Sequence, residues 1–110
     1  MRIPQSAVIP REKLTQYLLA PRRRSDKSKF LARGGFTSSN PGDLEAAIRR
    51  ATASCNAVAD GSNEYGTFYR VEAAIGGPNG ISLDVILVWI EWNTDGSYHF
   101  VTLKPGRSRQ

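Results

Sequence analysis

The clearest pattern in the chain is a period of two that starts near Thr67. Tyr69, Val71, Ala73 and Ile75 alternate with Phe68, Arg70 and Glu72, as on a strand with one buried face. In the next run, Ile81 to Trp92, every position from Val85 to Ile90 is apolar, which suits a central strand. Ser97 to Lys104 is a third run, closed by Pro105. Gly77-Pro78-Asn79-Gly80 and Asn93-Thr94-Asp95-Gly96 separate the runs with turn-forming residues. The back half therefore predicts a three-stranded antiparallel sheet.

The front half follows a helical period. Pro10 suits a first helical turn, Leu14, Tyr17 and Leu18 share a face, and Pro21 stops the helix. Phe30 and Leu31 anchor a short helical turn that Gly34-Gly35 closes. A second helix starts at Asn40-Pro41, with Asp43 in its first turn, and runs to about Asn56. Leu44, Ile48, Ala51 and Cys55 form its apolar stripe, which makes Cys55 a core thiol. Ala59 to Glu64 reads as a polar loop. The expected fold is α+β, with N-terminal helices packed on one face of a C-terminal three- to four-stranded antiparallel sheet. The 110 residues make one domain, with 1–8 and 106–110 as loose ends.

The turns set a register. A two-residue loop at Pro78-Asn79 and a four-residue loop at Asn93–Gly96 place Phe68, Trp89 and Phe100 in one cross-strand row. Arg70, Leu87 and Thr102 form a second row, and Glu72, Val85 and Lys104 a third. This face, with Tyr98, mixes aromatic and charged groups. The opposite face holds Tyr69, Val71, Ala73, Ile86, Val88, Ile90, His99, Val101 and Leu103, and is the expected core. A one-residue slip in a turn would exchange the faces of a strand.

Composition narrows the class. A 40% hydrophobic fraction supports a packed core, and the longest apolar run is far too short to cross a bilayer. No apolar leader segment opens the sequence, and the single Cys55 fits a reducing, cytoplasmic setting. Charge is uneven. Residues 1–40 hold nine Lys/Arg and two Asp/Glu, a balance of +7. Residues 41–100 hold three and eight, a balance of −5, and the last ten residues add +3. Basic ends of this kind suit phosphate-rich or acidic partners, and equally a solvated surface.

The chemistry on offer is sparse. One His and one Cys make no metal motif, and the glycine pairs lack the phosphate-loop patterns, so no metal and no cofactor is expected. A Ser–His–Asp set exists on paper with nothing to position it. Metal-free RNA cleavage needs a proton acceptor, a proton donor and cations for the developing phosphorane. Arg70 could hold a phosphate in two-pronged fashion, with Thr102 donating to it. His99 is the one histidine, although its register puts it on the core side. Lys27 and Lys29 lie in the basic connector, where a solvated surface role is the plain alternative. Trp89 and Phe100 could stack bases between cations such as Lys104. The plain alternative for that face is a second apolar layer or a protein interface.

Ile9-Pro10-Arg11-Glu12-Lys13-Leu14-Thr15-Gln16-Tyr17-Leu18-Leu19, Lys27-Ser28-Lys29-Phe30-Leu31, Gly35-Phe36, Tyr65-Gly66, Tyr69-Arg70-Val71-Glu72, Gly77-Pro78-Asn79-Gly80, Val88-Trp89 and Val101-Thr102 together carry a resemblance. In order and spacing they resemble a family of small bacterial toxin-like proteins of unknown function, over about residues 9–105. Such domains look like stand-alone toxins encoded beside a small partner, or toxic tips of polymorphic toxins. Their layout is similar to the barnase–EndoU–colicin–RelE ribonuclease class. The resemblance implies a toxin acting on RNA without metal and held by a small antitoxin protein. It raises Lys27, Arg70 and Thr102 to candidate catalytic residues; Lys29, Trp89, Phe100, Lys104 and His99 stand beside them as substrate-binding candidates from the reading of the residues themselves. Two alternatives stay open: a non-catalytic immunity or adaptor module, and an RNA-binding protein that does not cleave.

Overall fold

The structure is a computed structural model that describes residues 1–21, 23 and 26–106. Arg22, Arg24 and Ser25 of the basic connector, and the 107–110 tail with its two arginines, lie outside the described residues. Helices and a four-stranded antiparallel sheet of order β1-β2-β3-β4 form an α+β fold. The strands are β1 (Val58–Ser62), β2 (Gly66–Gly76), β3 (Ser82–Trp92) and β4 (Tyr98–Pro105). β1 replaces the expected polar loop. All five of its residues are exposed, so no apolar alternation marks it, and its pairing to β2 is what makes it a strand.

The first helical stretch winds wider than expected. Lys13–Leu18 is π-helical, and the Leu19 N–H donates to the Leu14 carbonyl five residues back, at 2.9 Å. It buries Leu14, Leu18 and Leu19. Helix α1 (Ser28–Ala32) is a single turn pinned by the fully buried Leu31. Helix α2 (Pro41–Ser54) buries Leu44, Ala47, Ile48, Ala51 and Thr52. Asn40 occupies its N-cap, but the side chain turns backwards: Oδ1 accepts from the Thr37 N–H and Nδ2 donates to the Gly35 carbonyl. Cys55 falls just past the helix, in extended backbone, half-buried against the core. The opening segment, expected to be loose, is held in place. Ile3 and Ala7 are buried, and Val8 bridges His99 on the outer side of β4.

The register differs from the expected one in two places. β2 and β3 pair Gly76 with Ser82 and Phe68 with Ile90, one residue away from the two-residue turn. The hairpin loop is Pro78-Asn79-Gly80. The Gly77 N–H donates to the Ile81 carbonyl, and Gly80 sits at φ +86. Proline explains the change. A two-residue hairpin turn of the favoured kind needs positive φ at its first position, which Pro78 cannot adopt. A three-residue loop with a left-handed glycine at its end accommodates both residues. In the second hairpin the Asn93–Gly96 loop holds, since the Trp92 N–H donates to the Ser97 carbonyl. A bulge then intervenes. Trp89 pairs with Phe100 but Val88 pairs with Thr102, leaving Val101 as the extra residue.

The slip turns β3 over. Trp89 and Phe100 are 1% and 2% exposed, and their rings meet edge to face in the core. Val71, Leu87 and Leu103 form a fully buried row beside them. Ile86, Val88 and Ile90, expected in the core, lie on the other face with Arg70, His99 and Thr102. Ile90 is buried yet stands outside the core cluster that joins the sheet to the helices. One face of the sheet therefore packs on the helical layer and the other is uncovered.

Candidate functional site

The uncovered face is built from all four strands. One cross-strand row holds Val58, Arg70, Val88 and Thr102. The next toward the second hairpin holds Phe68, Ile90 and His99, and the last on the other side holds Glu72, Ile86 and Lys104. With about 4.8 Å between strands, the Arg70 and Thr102 backbones are about 10 Å apart.

Lys27 and Thr102 are brought together. The Lys27 ammonium donates to Thr102 Oγ1 at 3.0 Å in a partly buried setting. Local chemistry fixes the lysine. Asp26 Oδ1 accepts from the Ser28 N–H and hydroxyl at 2.8 and 2.6 Å, which starts α1, and Leu31 anchors the helix in the core. The lysine is thus carried to edge strand β4. Its bond leaves the threonine's own hydroxyl proton available to an incoming acceptor. Lys29 and Lys104 are exposed, the first on α1 and the second two residues beyond Thr102.

Arg70 shares the row but is already engaged. Its guanidinium meets Asp60 of β1 at 3.2 Å and Glu72 at 3.3 Å. The local charge is negative, so an anion would have to displace a carboxylate to gain the two-pronged contact expected of this arginine. Trp89 and Phe100 are removed from the site altogether, since the core buries both. Their stacking role is corrected by the turned β3.

His99 moves the other way, from expected core to uncovered face. Its ring lies flat on Trp92, with centroids 3.9 Å apart and planes within 16°. Ser97 Oγ donates to Asp95 Oδ1 at 2.6 Å and meets His99 Nε2 at 2.8 Å. A hydroxyl has one proton, and here it goes to the carboxylate, so Nε2–H is the donor to Ser97. Serine stands in the middle of this chain, unlike a nucleophilic triad, where histidine does. The Ser97 hydroxyl, then its N–H, hold the Asp95 carboxyl below the ordinary aspartate value. Register reasoning also missed Trp92 and Tyr65. Both border turns at the same end of the sheet and are 41% and 66% exposed. The turn preference of Pro78 was the signal that would have brought out Trp92, whereas Tyr65 lies in the β1–β2 connection, which that turn does not position. Among the described residues, no group of His, Cys, Asp and Glu could hold a metal ion. No helix among them is long and apolar enough to cross a membrane.

Comparison with known proteins agrees with the fold. A chain of the contact-dependent growth inhibition toxin–immunity protein complex from Klebsiella pneumoniae 342 aligns over 93% of this chain and 95% of its own, with a TM-score of 0.68. Identity is 20%, so the likeness is one of fold. No curated protein matches the sequence. The family model described as "Domain of unknown function (DUF6883)" matches residues 3–107, nearly the whole chain, and the protein belongs to that family.

Proposed function

We propose that the chain is the toxin of a toxin–immunity pair and cleaves RNA without metal at the β4 edge marked by Lys27 and Thr102. The observation that carries this reading is the Lys27–Thr102 hydrogen bond, which joins a basic segment to the sheet 75 residues later. In the proposed reaction the 2′-hydroxyl attacks the adjacent phosphorus and the bond to the 5′-oxygen breaks. The 2′ proton passes to a base, and the leaving 5′-oxygen receives one. Lys27 neutralises the phosphorane and Thr102 donates its hydroxyl to a phosphate oxygen. Lys29 and Lys104 extend the cationic track along the backbone. His99 is the proton-transfer candidate, through Nδ1, because Ser97 takes Nε2–H. Arg70 contributes only by exchanging a carboxylate for phosphate, so its loss is expected to weigh less than that of Lys27.

The test is incubation of purified protein with total RNA in EDTA. Cleavage is expected. Lys27→Ala and Thr102→Val should each slow it by about a hundredfold while lowering the urea midpoint by no more than about 1 M. No cleavage, or cleavage indifferent to both substitutions, overturns the reading. A second reading, a non-catalytic immunity or adaptor module, draws on the apolar character of the uncovered face. Expression of the chain alone in a bacterium separates the two. A toxin arrests growth and Lys27→Ala relieves the arrest, whereas an adaptor leaves growth unchanged.

A further inference from the structure

The uncovered face carries a second surface, at the end away from Lys104. There Tyr65, Ile90, Trp92, Asn93 and Thr94 line an open, mainly apolar slot of about 490 Å³, with Glu64 beside them. Trp92 is held flat by His99, which Ser97 fixes in turn. Val58, 51% exposed, and the half-buried Phe68 and Val88 continue the apolar surface along the sheet. Exposed apolar area of this kind, around two accessible aromatic rings, is the usual composition of a docking patch.

The rim decides what docks. Glu64 lines the slot and Asp95 holds Ser97 beside His99, while Asp60 and Glu72 lie farther along the face. Arg70, the cation set among them, is taken up by Asp60 and Glu72. Lys104 stands at the far end, beside Ile86. A phosphate backbone would be repelled here, and a cationic partner drawn in. We propose that this face docks a basic protein segment that inserts an aromatic or aliphatic side chain into the Tyr65–Trp92 slot, with flanking Lys or Arg meeting the carboxylates. The surface adjoins the Lys27–Thr102 edge through Val88 and His99, so the two roles are told apart by Lys27→Ala, which should leave docking intact, and Tyr65→Ala, which should leave RNA cleavage intact.

The probe is an acetylated, amidated Lys-Lys-Phe-Lys-Lys peptide titrated into the full chain and followed by amide and indole NMR. The expected result is a shift of the Trp92 indole N–H and of the Tyr65, Ile90 and Asn93 amides. Binding should weaken about tenfold in Trp92→Ala, and likewise in Tyr65→Ala, both exposed positions where the dispersed spectrum reports retained folding. A peptide with glutamates in place of the lysines should give no shift. The proposal is overturned if the basic peptide moves no resonance of this face, or if the acidic peptide binds as well. It is also overturned if a uridine oligonucleotide, rather than the peptide, shifts Trp92, since the slot would then take a nucleobase.

Discussion

Leu87 and Val88 are neighbours in β3, and their substitutions should have opposite weights. Leu87 is fully buried between Val71 and Leu103, which are themselves fully buried. Leu87→Ala removes three carbons at about 0.8 kcal/mol each, roughly 2.4 kcal/mol of transfer free energy. The cavity left behind raises the total to about 3–5 kcal/mol, because the flanking strands cannot close over it. Val88 sits half-buried on the uncovered face between Arg70 and Thr102. Val88→Ala removes two carbons that water partly reaches already, so its cost stays below about 1 kcal/mol. Urea unfolding reads the difference. With a slope of about 1.5 kcal/mol per molar, the Leu87→Ala midpoint should drop by roughly 2–3 M and that of Val88→Ala by less than about 0.7 M. The slopes should agree with the parent's. A Val88→Ala loss equal to or larger than that of Leu87→Ala would mean that the Pro78 hairpin has the other register, and the faces assigned here would be exchanged.

Three further outcomes follow from named contacts. Gly77→Ala places a methyl on the Gly34 carbonyl oxygen, backbone that cannot swing aside. Its thermal midpoint should fall by more than that of Gly80→Ala, whose methyl meets open space and whose cost, about 1 kcal/mol, is conformational alone. In a double-mutant cycle of Lys27→Ala and Thr102→Val, stability measurements should give a coupling of about 0.5–1.5 kcal/mol, and zero coupling would remove the hydrogen bond from the solution structure. Asp95 has a lowered value in the fold, so its stabilising bonds from Ser97 are intact above the ordinary aspartate range and are lost as pH falls through the depressed value. Asp95→Asn should flatten that acid-side slope in melting curves taken at successive pH values, and an unchanged slope would show that Asp95 is not its source.

The α+β layout and three of the four strands were legible because they rest on period and on turn residues. β1 was not, since Val58–Ser62 is exposed throughout and only its pairing with β2 defines it. The candidate site was legible for a less direct reason. Placing Pro78-Asn79 in a two-residue loop moved β3 by one position against β2, and a bulge at Val101 moves β4 by one position against β3. Across Arg70, Val88 and Thr102 the two displacements cancel, so the expected Arg70–Thr102 row survives with a different residue between them. On the turn side of the bulge only one displacement acts, and Trp89 and Phe100 go from the expected surface into the core. Bulges leave no mark in a hydrophobic pattern, because Val101 is as apolar as a strand residue should be. The first displacement did leave one. Proline's fixed φ excludes the tighter turn, and counting from a three-residue loop would have brought Trp92 and His99 to the uncovered face from the sequence alone. The local φ requirement of a turn residue thus outranks apolar periodicity in deciding which face of a wholly apolar strand meets the core.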